Sequence, residues 1–113
     1  MDLKKLISGG RHTAVIKLPF EDADGKVVNE DLLVVYRGVS LREGRAIQER
    51  VEAEADERKS LVAALLEVVI ELPGVMEDGH PVKLTPEFFE AMDTFYLNRI
   101  NAGIHEDRQG PNR

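Results

Sequence analysis

The sequence predicts an α+β domain in which an N-terminal β-hairpin packs on an antiparallel helical hairpin. Three observations carry this reading. Residues 13–20 and 27–38 each alternate apolar and polar side chains, on either side of an Asp24-Gly25 dipeptide. Apolar residues dominate 61–72 and recur at helical spacing over 86–104. Between those two stretches lies "GVMEDGHPVKLTPEFF", rich in glycine and proline. A period of two marks a half-buried strand, and a spacing of three to four marks an amphipathic helix.

In the first arm, "TAVIKLPF", Ala14, Ile16, Leu18 and Phe20 fall on one face. Pro19 lacks an N–H, which places the strand at a sheet edge or near its end. Asp24-Gly25 is a turn dipeptide, because glycine accepts positive φ. In the second arm Leu32, Val34 and Tyr36 share one face and Leu33 and Val35 the other. Two strands alone are marginal, so the hairpin needs a helix or a third strand against it.

Ser40-Leu41-Arg42-Glu43 reads as a capping box that starts a helix at Leu41. The first half of that helix is charged, with a thin apolar row of Ile47, Val51 and Ala55. Arg50, Glu54 and Arg58 are spaced for a ladder of ion pairs. From Leu61 to Leu72 the chain is apolar nearly all round, as in a buried helix. One nearly continuous helix over 41–71 is expected, the alternative being a break near Glu57–Ser60. Pro73-Gly74 ends it. "HPVKL" is extended enough for a short strand or lid. Thr85-Pro86-Glu87 starts the last helix, with Thr85 as the cap and Pro86 at the first helical position. Phe88, Met92, Tyr96, Ile100 and Ile104 form its apolar row, widened by Phe89 and Phe95. One domain is expected over residues 1–107, with 108–113 a flexible tail.

The chain has 113 residues, with 42% hydrophobic and 32% charged content, enough for one modest core. Its net charge of −6 argues against nucleic-acid binding, which needs clustered positive charge. There is no cysteine, hence no disulfide framework. The start, "MDLKKLISGG", lacks the apolar core of a secretory signal, and no apolar run is long enough to span a bilayer. No membrane partner is expected. His12, His80 and His105 show no metal-ligand spacing. Asp22, Asp24 and Gly25 begin like a calcium loop, but the later ligands are missing and a turn explains them. Neither "ISGGRH" nor Ser40 has the setting of a phosphate loop or a nucleophile. No enzyme, cofactor or metal is expected. Apolar surface is generous for so small a chain, which predicts self-association or a protein client.

The ordering of "VVYRGVS", "LLEVVIELPGV", "EDGHPVKLTPEFFEAM" and "LNRINAGIHED" resembles the tail assembly chaperones of long-tailed bacteriophages and prophages. The resemblance covers roughly residues 13–107 and is most characteristic over 62–104. One departure is Leu72, where many such sequences carry tryptophan. The resemblance implies a protein of the host cytoplasm, absent from the mature virion. It would coat the tape measure protein until tail tube protein polymerises around it. It also implies a homo-oligomer, ring or spiral, and in many members a longer frameshifted form. Pro111-Asn112 permits a slippery codon pair for such a shift. A structural head–tail connector retained in the particle is the alternative. For protein binding, Phe89, Phe95, Tyr96 and Ile100 are the expected residues, bordering a groove for client helices. Simple core packing of this row is the competing reading.

Overall fold

The computed structural model describes residues 1–7 and 10–110. Strands β1 (Arg11–Glu21) and β2 (Val27–Arg37) form the expected hairpin, in antiparallel register from Arg11↔Arg37 to Glu21↔Val27. The Asp22 carboxylate closes the turn by accepting from the amides of Asp24 and Lys26, both at 2.9 Å. Gly25 supplies the required positive φ of 80°. Ala14, Ile16, Leu18, Val34 and Tyr36 are buried on one face, and Val15 and Leu33 are exposed on the other.

A short helix, α1 (Lys4–Ile7), precedes the hairpin. After it, α2 (Leu41–Ala53) starts where the capping box placed it, with Ser40 Oγ accepting from the Glu43 amide at 3.1 Å. The Glu43 carboxylate turns to Arg37 Nη1 at 2.6 Å and ties the helix start to the sheet. The expected continuous helix over 41–71 is not formed. α2 ends at Ala53 and α3 (Glu57–Val68) begins anew. The Asp56 carboxylate accepts from the amides of Arg58 and Lys59, which is the capping geometry of a fresh start. The buried Ser60 hydroxyl donates to Val51 O at 2.9 Å and satisfies the carbonyl end of α2. The Arg50–Glu54–Arg58 ladder is likewise replaced. Arg50 pairs with Glu67 at 2.9 Å, and Arg58 reaches the last helices.

α3 stops earlier than expected because Val68, Val69 and Ile70 are β-branched and precede Pro73. Residues Val69–Glu71 become β3, which pairs antiparallel with β2 at Tyr36↔Val69 and Val35↔Glu71 around a register shift. The sheet order is β1-β2-β3, so β1 is an edge, as Pro19 required. That edge is blunted: Tyr96 donates to Pro19 O at 2.9 Å and Arg99 to Lys17 O at 3.2 Å.

The connector folds as a small second hairpin, β4 (Met76–Glu77) with β5 (His80–Pro81). Asp78 and Gly79 both have positive φ, 51° and 79°, as a type I′ turn demands. The expected single last helix is split into α4 (Pro86–Ala91) and α5 (Thr94–Gln109). Thr85 caps α4 as expected, and the Asp93 carboxylate caps α5 by accepting from the Phe95 amide at 2.8 Å. α4 makes the return beside α3, and α5 then turns back. Arg58 at the start of α3 bonds Thr94 at the start of α5. At the other end Tyr36, paired with Val69, bonds Asp107.

Residues 108 and 109, expected in a flexible tail, belong to α5, and Arg108 lies over the Tyr36 ring at 5.5 Å. The frameshift positions Pro111-Asn112 lie outside the described residues. The core is one cluster centred on Tyr36, Leu65, Phe89, Leu97, Ile100 and Ile104, each almost fully buried. Burial of each such side chain contributes roughly 1.5–3 kcal/mol.

Candidate functional site

The hairpin packs on α5, and a gap remains between its outer half and the short α4. Towards its tip the hairpin's inner face carries Leu18, which is buried, and then Leu32 and Phe20, which are covered only in part. α4 offers Phe88, its C-cap is Met92, and α5 offers Tyr96 and Ile100 from below. Leu72–Val75 close one end. The result is an open groove of about 460 Å³ with a mainly apolar lining. Its charged lining residues are Glu30 and Asp31, both acidic. Asp31 stands opposite Lys17 in the β1–β2 register, whereas Glu30 stands opposite Leu18.

An aromatic row runs along the groove and out of it. Phe20 stacks on Tyr96 with ring centroids 5.0 Å apart. Tyr96 meets Phe95 edge-on at 5.4 Å. The Tyr96 hydroxyl is held by Pro19 O, which fixes the ring between its two neighbours. Phe95 is 49% exposed, with the Arg99 guanidinium 6.0 Å above it. Such a surface suits apolar helical ligands, because its rings are pre-positioned and their burial in the free protein is incomplete.

The four residues expected to bind protein separate into two kinds. Phe89 and Ile100 are 0% and 1% exposed and belong to the core. Phe89 turns inward because α4 presents its other ring, Phe88, to the groove, the two meeting edge-on at 5.2 Å. Ile100 forms only the floor. Tyr96 lines the groove and Phe95 extends it to solvent. Phe20 was not among the expected binding residues. The signal for it was its place at the end of the inward row, past Pro19, where no helix of matching length follows.

Elsewhere, a depression of about 590 Å³ beside β1 is lined by Lys17, Arg99, Glu106 and Asp107. Its mixed charges make it a polar surface. Among the described residues, no group of three or more His, Asp or Glu side chains could hold a metal ion. No helix among them is long and apolar enough to cross a membrane. Compared with protein-family models, with curated proteins and with solved structures, the chain shows no match.

Proposed function

We propose that this chain is a phage tail assembly chaperone that shields the tape measure protein during tail morphogenesis. The observation that carries the proposal is the apolar groove between the hairpin and helices α4 and α5, with its aromatic row. A tape measure protein is a long helical chain with apolar stripes. A groove of this kind takes one face of such a helix, leaving i, i+3, i+4 and i+7 anchors against Phe20, Phe88, Met92 and Tyr96. Contacts of this size are individually weak, so tail tube protein can displace them in sequence. The sequence resemblance points the same way, and the net charge of −6 keeps a coated client soluble.

In this reading the chain is a binding protein without a catalytic step. It acts in the host cytoplasm and leaves before the particle matures. Co-expression with the tape measure protein tests the first half: the client should co-purify with this chain and aggregate without it. Mass spectrometry of purified particles tests the second. Stoichiometric presence of the chain in the particle would instead identify a structural head–tail component.

A further inference from the structure

We propose that the open edge of β1 binds an extended peptide of a partner protein as a fourth strand, at a site separate from the groove. In an antiparallel pair, alternate residues turn their backbone N–H and C=O groups to the neighbouring strand, and the rest turn theirs away. The Gly10 carbonyl accepts from the Gly38 amide and the Asp22 amide donates to Lys26 O, both at 2.8 Å. The even-numbered positions of β1 therefore face β2. Thr13, Val15, Lys17 and Pro19 present their backbone groups to the edge. Near the tip that edge is closed: Pro19 has no N–H, Tyr96 donates to Pro19 O and Arg99 donates to Lys17 O. Among the described residues no such bond is made to Thr13, to Val15 or to the Lys17 amide. This half of the edge has neither the proline nor the bulge that commonly protects one. Its sequence, "TAVIK", favours a strand.

α5 leaves room for the added strand. It crosses the sheet obliquely: Tyr96 meets the edge at Pro19, Gly103 lies under Ile16, and Asp107 reaches Tyr36 of the central strand. The wedge between helix and edge is the depression of about 590 Å³, lined by Val15, Lys17, Arg99, Ala102, Gly103 and Glu106. Its chemistry selects the occupant. A row of backbone donors and acceptors at strand spacing is satisfied in full only by another extended backbone. Ala102 and Gly103 give a floor of small residues, which takes an apolar side chain from the middle of the peptide. Lys17 and Arg99 make one end basic, and Glu106 and Asp107 make the other acidic. Arg99 and Glu106 are two helical turns apart, about 10 Å, which is close to the span of three to four strand residues. An antiparallel peptide therefore fits with an acidic residue near its N-terminus, an apolar one two residues on and a basic one two further.

The probe is the peptide acetyl-TEVLVKT-amide, titrated into the full chain and read by amide hydrogen exchange. Its valines would lie beside Val15, which is 59% exposed on the outer face. In the free protein the Thr13, Val15 and Lys17 amides should exchange faster than those of Ala14 and Ile16, which bond to β2. Saturating peptide should slow the three edge amides about tenfold or more and leave Ala14 and Ile16 unchanged. A peptide N-methylated at the amides that face β1 keeps every side chain and loses the donors, so it should slow none of them. Ala102→Trp fills the wedge from an exposed position of α5 and should abolish binding with an unchanged melt. No slowing at millimolar peptide, or equal slowing by the N-methylated peptide, would overturn the proposal. Slowing of the same amides on raising the protein concentration without peptide would overturn it too, since the edge would then belong to a second copy.

Discussion

The Tyr36 hydroxyl donates to the Asp107 carboxylate at 2.5 Å, joining residues 71 positions apart. Tyr36 comes from the central strand and Asp107 from the last turn and a half of α5, so this bond closes the domain end to end. Arg108 lies over the same ring, and the His12 ring packs against it at 5.4 Å. Burial, then the hydrogen bond and charge of Asp107, push the Tyr36 phenol up to about 12 from its ordinary 10.0, with Arg108 opposing. A raised folded value means that the fold favours the neutral phenol. Its contribution is therefore complete below pH 10 and is lost as the pH rises through about 12. Urea midpoints measured from pH 8 upwards should fall steeply across that window. Tyr36→Phe should cost about 1–3 kcal/mol at neutral pH, by loss of a bond to a charged group. Its own alkaline decline should be shallower than that of the parent.

Two glycines in helices should respond to alanine with opposite signs. A Cβ on Gly103 of α5 would stand 2.5 Å from Ile16 Cγ1, inside van der Waals contact with a buried strand residue. On Gly44 of α2 it would meet nothing nearer than Val39 Cγ2 at 3.7 Å. Gly44→Ala should stabilise by roughly 0.5–1 kcal/mol, the ordinary helical gain. Gly103→Ala should destabilise by about 1–3 kcal/mol, because α5 must lift off β1. Equal and positive shifts in melting temperature would show that α5 does not pack this closely.

Arg58 holds the α4–α5 joint. Its guanidinium donates to Glu90 O at 2.6 Å, to Met92 O and to Thr94 Oγ. Arg58→Ala strips partners from carbonyls at a helix end and should cost about 1–3 kcal/mol. Arg58→Lys should recover little of it, since one ammonium cannot span the fork that three acceptors form. Full rescue by lysine would mean that charge alone matters at the joint.

The hairpin was legible because alternation and turn chemistry agree over Thr13–Tyr36. The two helix breaks were harder to read. Asp56 and Asp93 are both good caps, yet the apolar spacing runs across each of them, and periodicity alone favours continuity. β3 was hidden for a related reason. Val69–Glu71 continues an all-round apolar segment, in which a buried helix and a buried strand look alike. It is the third strand that the hairpin needed, and only its pairing with Val35 and Tyr36 reveals it. Of the groove, Tyr96 was visible as part of a wide aromatic row. The inward turn of Phe89 and the recruitment of Phe20 depend on how far the hairpin overhangs α4, a tertiary quantity with no local signature.

Adjacent phenylalanines in α4 should differ in consequence. Phe89 is 0% exposed, so Phe89→Ala should cost about 3–5 kcal/mol. Phe88 is only partly buried, and its replacement should cost clearly less. Leu65→Ala, at another fully buried position, should fall at about 2–5 kcal/mol. Chemical denaturation of the three variants gives the ranking.

The same contrast separates folding from client capture. Phe20 and Phe95 are 37% and 49% exposed and flank Tyr96 on either side. Phe20→Asp and Phe95→Asp place a charge at the groove's upper wall and outer lip, where water still reaches it. Each should therefore lower the melting temperature only slightly. Each should nevertheless reduce recovery of co-expressed tape measure protein, because a carboxylate would have to be desolvated under an apolar helix. Ile100→Asp should fail differently, by unfolding the domain, since the groove floor is also core. Circular dichroism sorts the variants by fold, and affinity capture then sorts the folded ones by function. Undiminished capture by both Phe20→Asp and Phe95→Asp would move the client off this groove.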